Sequence, residues 1–343
     1  MSMRRSAAWP RMFLLPLVPL YRAGLAWKNR GFNTGHSEIK HLQWPVVSVG
    51  SLSAGGAGKT PVVMALARLL SDAGYNVDIL TRGYGRTGTE VEQVDTFGDA
   101  AHFGDEAMLL AKESGVPVFV GAERYGAGLL AERVFVSADE KHVHLLDDGF
   151  QHRRLARSMD VVLLTQQDAH DWLLPAGNLR EPLSSLRRAG AVMVRVEEAE
   201  ALRPVLKRVF GDSTPPVWVV RRSIHLRAVA GEVEGTSHPL AFCGIARPED
   251  FFAMLRANST LPAATVAFHD HYAYAEHDVD SLLQKAAATG ADGWVMTAKD
   301  AVKLTPKMVD RLQQTGPVVV AELDVVFENE AEIRRYISTN LSS

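Results

Sequence analysis

From Pro45 onward the chain alternates between short runs apolar at most positions and longer stretches whose apolar residues return every three to four. The runs PVVSVG, NVDILT, VPVFVG, HVHLLDD, MDVVLLT and AGAVMVRV read as strands, and the spacing predicts helices over 59–73, 106–114 and 124–134. Strands apolar on both faces and separated by helices belong to a mainly parallel sheet covered on either side. The expected architecture is α/β: a doubly wound, P-loop NTPase-like core domain over 36–215, with a glycine-rich loop after its first strand. Turn-rich GDSTPP and EVEGTSHP then interrupt the pattern, and VWVVRRSIHLRAV between them reads as an extended inter-domain linker, 216–238. A second alternation follows in LAFCGI, AATVAF, GWVMT and GPVVVAEL, with helices over 248–257, 276–289 and 329–338. It predicts a smaller C-terminal α/β domain over 239–343.

Residues 1–35 follow another pattern. On a helical wheel Arg4, Arg11 and Arg22 fall on one line, while Trp9, Phe13, Leu17, Leu20 and Trp27 gather opposite; Pro16 and Pro19 kink or break the helix. A basic start and an apolar centre also describe a signal peptide, and a helix packed on its own domain would look alike. Tryptophans at both ends of an apolar stripe, flanked by arginines, favour an amphipathic element at the headgroup boundary of a membrane. Charge points the same way. Residues 1–37 carry six basic side chains and no acid, which leaves 31 basic against 40 acidic side chains elsewhere, a net near −9. So acidic a remainder speaks against nucleic acid as a partner. The single cysteine, Cys243, cannot form an internal disulfide, which points to a reducing compartment. At 343 residues, 47% hydrophobic and 22% charged, the chain has the material for folded cores.

Four stretches carry candidate chemistry. SLSAGGAGKTP follows the first strand; Ser53 stands at the first glycine of the G-x-x-x-x-G-K-S/T pattern, followed by Ala54, Gly55, Gly56, Ala57, Gly58, Lys59 and Thr60. Backbone N–H groups of such a loop and the helix N-terminus behind it cradle phosphate; Lys59 neutralises the outer phosphates and the Thr60 hydroxyl can ligate Mg²⁺. HVHLLDD ends on Asp147 and Asp148, either carboxylates that hold a metal shell or an acidic turn. Neighbours on a strand face opposite ways, so the two need not play equal parts. GDEAML puts Asp105 and Glu106 before an apolar-periodic helix, where an acid as N-cap is the simpler reading of the pattern alone. AFHDHYAYAEHD gathers His269, Asp270, His271, His277 and Asp278, which could serve zinc, a histidine–carboxylate proton transfer, or nothing beyond an exposed loop.

Taken in order, GGAGKTP, LTRGYGR, GDEAML, GAERYGAG, LLDDGFQHRRLAR, LLPAGNLREPLSSLRRA, FCGIARPEDFF, FHDHYAY and TAKDAVKL resemble the tetraacyldisaccharide 4'-kinases over most of the chain. The resemblance implies transfer of the γ-phosphate of ATP to the 4'-hydroxyl of an acylated glucosamine disaccharide 1-phosphate. It places the reaction, with Mg²⁺, peripherally at the cytoplasmic face of the inner membrane. It implies that Asp105 is the base and His271 its partner, with Glu106, Asp147 and Asp148 around metal and nucleotide. Lys59 and Thr60 match the loop lysine and metal-binding hydroxyl. Tyr84, counted with the nucleotide set, and Arg180 line the cleft, and Lys59, Mg²⁺ and Arg180 stabilise charge. A rival reading is a membrane-associated regulatory ATPase with a KGGxGKT loop. Here Ala54 stands at that signature lysine, and the rival gives no reason for HDHYAY.

Overall fold

The computed structural model describes residues 9–56, 58–135, 141–229 and 236–341. Among these, the strands are β1 (Val46–Ser51), β2 (Asn76–Thr81), β3 (Glu92–Gln93), β4 (Val118–Val120), β5 (His142–Asp147) and β6 (Met159–Leu163), followed by β7 (Ala191–Arg195), β8 (Val217–Ala228), β9 (Leu240–Cys243), β10 (Ala264–Ala267), β11 (Trp294–Thr297) and β12 (Val318–Phe327). They form one sheet in the order β10-β9-β11-β12-β8-β7-β6-β1-β5-β2-β4-β3.

β1 is buried along its whole length and pairs in parallel with β5 and β6. A strand buried on both faces needs cover on each. Helix Lys59–Asp72 supplies it on one, burying Val62, Val63, Leu66, Leu69 and Leu70. This half is the expected doubly wound fold, and its loop opens at the carboxyl end of β1.

The stretch expected as a connection holds a 12-residue strand, β8. Its residues 217–220 pair in parallel with β7, and 220–228 pair antiparallel with β12. The two halves of the chain are thereby hydrogen-bonded into one sheet. Beyond it Leu240, Phe242, Trp294, Met296 and Val320 form a second core. The last helix, Glu330–Leu341, leaves that core and returns to the first half. Ile333 and Ile337 are buried in the cluster of Val63, Leu66, Leu70 and Trp218, and Tyr336 Oη donates to the Gly190 carbonyl at 3.0 Å.

At the N-terminal end Pro16 sits in a 3₁₀ turn, Leu15–Leu17, and Pro19 in the first turn of helix Val18–Asn33, where a missing N–H costs nothing. Val18 and Tyr21 lean on the core, and Tyr21 Oη donates to the Arg180 carbonyl at 3.0 Å. Phe13, Leu17, Leu20 and Trp27 face outward, Phe13 85% and Trp27 80% exposed. Arg4 and the Trp9 side chain, part of the sequence reading of this segment, lie outside what is described. Among the described residues no helix is long and apolar enough to cross a membrane.

Candidate active site

The loop leaving β1 is shaped by its glycines. Gly55, Gly56 and Gly58 adopt φ of +77°, +67° and +82°, a region that side chains disfavour. Ala57 lies outside the described residues. The Ser53 carbonyl accepts from Arg180 Nη2 at 3.0 Å. Lys59 Nζ lies 3.4 Å from both Asp148 Oδ1 and Ser51 Oγ, and Thr60 follows it in the first turn of the helix.

Asp147 closes β5 and Asp148 follows it in the turn, with φ +48°, so the two side chains take different partners. Asp147 is buried; its Oδ2 accepts the Thr81 hydroxyl at 3.1 Å, and its Oδ1 has no hydrogen-bond partner. Burial, with Glu106 and Asp148 close by, pushes its carboxyl up to about 7. Asp148 takes two bonds from Arg180, of 2.9 and 2.7 Å. Burial works against its ionisation, but Arg180 and Lys59 overcome it and hold the carboxyl well below the usual range. Arg180 is thus clamped between Asp148 and the start of the phosphate loop.

Asp105 opens helix Asp105–Glu113, but the N-cap is Gly104, so the simpler reading of the local pattern gives way. Gly104 has φ +94°, and a Cβ there would sit 3.1 Å from the Gly83 backbone and the Tyr84 carbonyl. Glycine lets the RGYGR turn touch the helix start, which brings Tyr84 and Asp105 together. Asp105 Oδ1 accepts the Glu106 N–H at 2.9 Å, and His271 Nδ1 lies 2.9 Å from Oδ2. The Tyr84 ring centroid is 5.1 Å from that of His271. Among the described residues three non-glycine residues have positive φ, and two of them, Asp148 (+48°) and His271 (+57°), are in this site. Such backbone strain persists where surrounding structure over-determines it.

The bond to Asp105 raises the His271 pKa. For Asp105, burial acts upward, but the His271 bond and Lys299 bring the carboxyl below its ordinary value. Lys299 is the residue that sequence reasoning left without a role. Its Nζ lies 3.2 Å from Glu106 Oε1, 3.3 Å from Asp270 Oδ1, 3.3 Å from His271 Nε2 and 3.9 Å from Asp105 Oδ2. An ammonium donating to Nε2 leaves the Nδ1–H to face Asp105. The available signal was a lysine just past an apolar strand, GWVMT, at the tip where the opposing half also carries its chemistry.

Among the described residues, no three His, Cys, Asp or Glu side chains gather as a ligand set for a metal. In AFHDHYAYAEHD, Asp278 accepts from Tyr272 Oη at 2.9 Å and from the Ala275 N–H at 2.8 Å, so a zinc site there has no cluster to rest on. A cavity of about 450 Å³ opens between the loop and the second half, lined by Gly56, Lys59, Thr60, Glu106, His271 and Lys299 among others. A second, of about 1170 Å³, is lined by Trp27, Arg30, Lys40, Tyr125, Gln151 and Arg153 with their neighbours.

The family model described as tetraacyldisaccharide-1-P 4'-kinase matches residues 10–342. The chain belongs to the tetraacyldisaccharide 4'-kinase family. The tetraacyldisaccharide 4'-kinases of Koribacter versatilis and Dechloromonas aromatica are 42% and 40% identical to it. The matches cover 90% and 88% of this chain, and 93% and 85% of those proteins. The crystal structure of "apo" form LpxK from Aquifex aeolicus in complex with ATP matches with a TM-score of 0.74 at 32% identity, over 96% of this chain and 99% of that one. The P-loop kinase fold expected from the sequence is therefore the fold of the family. Within this member of the tetraacyldisaccharide 4'-kinases the geometry joins Asp105 to His271, Asp148 to Arg180 and Lys59, and Glu106 to Lys299.

Proposed function

We propose that this chain transfers the γ-phosphate of ATP to the 4'-hydroxyl of tetraacyldisaccharide 1-phosphate, a lipid A precursor, at the cytoplasmic face of the inner membrane. The observation that carries the reading is the Asp105–His271 pair beside the cavity of the phosphate loop. A sugar hydroxyl is too weak an acid to ionise before attack, so a carboxylate must take its proton as the new bond forms. Asp105 takes it; His271 and Lys299 hold the carboxylate in place and anionic. The 4'-oxygen bonds to the γ-phosphorus, the bond to the β–γ bridging oxygen breaks, and that electron pair leaves on ADP. Loop amides and Lys59 hold the phosphates, with Tyr84 beside the pair.

The residues fit Mg²⁺ as it is held in P-loop enzymes, by one hydroxyl, one strand-tip acid and phosphate oxygens. Thr60 and the unpartnered Oδ1 of Asp147 would hold it, with Glu106 near, while Asp148 is committed to Arg180. When bound it supplies charge neutralisation between the β- and γ-phosphates. On this reading the cleft works by movement of the core of 239–327 about β8 relative to 36–215, while helix Glu330–Leu341 stays with the first half and Asp105 and His271 meet when the cleft is shut.

The larger cavity suits the acceptor. Arg30, Lys40, Arg153 and Arg154 offer cations to an anionic sugar 1-phosphate. The outward Phe13, Leu17, Leu20 and Trp27, with the exposed Arg11 and Arg22 on the same segment, suit the bilayer edge from which the acyl chains come. Deleting residues 1–30 is expected to reduce co-sedimentation with anionic vesicles; unchanged partitioning contradicts the surface reading.

The direct experiment is incubation of the full chain with radiolabelled ATP and a panel of acylated and deacylated disaccharides. Label is expected on the acylated disaccharide as a new monophosphate ester. ATP hydrolysis indifferent to the disaccharide would instead support the regulatory ATPase.

A further inference from the structure

Arg247 stands in FCGIARPEDFF, directly before helix Pro248–Ala257, and its side chain crosses the phosphate loop. A Cβ built on Gly56 would sit 2.8 Å from Arg247 Nε and 3.2 Å from its Cγ and Cδ. The neighbouring Gly55 faces Ala246, whose Cβ would be 3.9 Å from its own. The turn after β9 therefore rests on the loop glycines, and it brings a guanidinium from the second half against peptide groups of the kind that receive a phosphate chain.

Charge makes this cation available. Five lysine and arginine side chains line the cavity of about 450 Å³. Lys59 pairs with Asp148, Arg68 with Asp324, Arg222 with Glu197, and Lys299 with Glu106 and Asp270. Arg247, half-buried, is the fifth, and among the described residues it makes no hydrogen bond or ion pair. A partly desolvated guanidinium without a counter-charge is unfavourable until an anion arrives.

We infer that Arg247 is a catalytic arginine supplied in cis, contacting the β–γ bridge and the γ-phosphoryl oxygens of the bound nucleoside triphosphate. The inference rests on the kinase reading above. Gly56 lies three residues before Lys59, the residue that meets the β- and γ-phosphates in such loops, so the guanidinium is at the phosphate end and away from the base. In the transfer step, charge develops on the bridging oxygen as its bond to the γ-phosphorus breaks, while the hydroxyl proton passes to Asp105. An N–H donor fixed at that oxygen stabilises the charge without reorganising.

The test compares Arg247→Ala and Arg247→Lys with the wild type, using ATP and the acylated disaccharide for turnover and equilibrium titration with ADP and AMP for binding. An arginine finger is worth about 10³–10⁵ in kcat in P-loop GTPases. Arg247→Ala is expected to lower kcat at least about 100-fold, Arg247→Lys to recover part of it, and ADP affinity to stay within about threefold. Retained ADP binding also reports that the variants fold. A kcat within about threefold of wild type would overturn the inference. So would equal losses of ADP and AMP affinity at unchanged kcat, the signature of stacking on the base. A wild type that labels no disaccharide takes down the kinase reading and this inference with it; a normal wild type beside an unimpaired Arg247→Ala takes down only this one.

Discussion

Asp105→Ala is expected to lower kcat for disaccharide phosphorylation by on the order of 10²–10⁴, with ATP binding intact. The magnitude is that of a general base, because the variant still has its loop, Lys59 and the Asp147–Asp148 strand tip. Asp105→Asn sharpens the test: it keeps the shape and the bond to the Glu106 N–H but cannot accept the proton. Equal losses in the two variants, from steady-state kinetics and equilibrium ATP titration, identify proton acceptance as the lost function. Substantial activity in the asparagine variant would make Asp105 an orienting residue.

The second large effect is expected at Lys299. Its ammonium lies among Asp105, Glu106 and Asp270, with its side chain only 16% exposed. Lys299→Met leaves three carboxylates without their cation and removes the donor at His271 Nε2. Breaking a buried charge network by one partner costs about 3–5 kcal/mol. Displacement of the dyad by about 1 Å is enough to slow transfer about 100-fold, and a loss of that size in kcat/KM is expected. Lys299→Arg restores charge without the compact ammonium, and falls between. Thermal unfolding and steady-state kinetics on the same samples separate the two losses. A melting point lowered with kcat unchanged would confine Lys299 to holding the halves together.

The first half of the fold was legible because β1, β5 and β6 are buried on both faces and are accordingly rich in valine and leucine. β8 was not. Its second half mixes Arg221, Arg222, Ser223, His225 and Arg227 with few apolar residues, and Arg222 pairs with Glu197 and Arg227 with Glu113, which makes a strand look like a solvated connection. The destination of helix Glu330–Leu341 was equally hidden, since an apolar stripe does not say which core will receive it. In the site, the phosphate loop was readable from local spacing, because its chemistry depends on consecutive backbone groups. The pairing of Asp105 with His271 was not, because 166 residues separate them. Local pattern made Asp105 a helix cap; only the ordered motifs of a family pointed elsewhere. Lys299 escaped because a lone lysine past a strand has no distinguishing spacing, and its meaning lies in three acids from two distant segments.

The account turns on Asp105 and His271 acting as one unit across the cleft, and a double-mutant cycle on kcat measures that directly. If the imidazole works only by orienting the carboxylate, Asp105→Ala combined with His271→Ala should lose no more than Asp105→Ala alone. Losses that multiply, each side chain contributing its full factor in the absence of the other, would contradict the dyad.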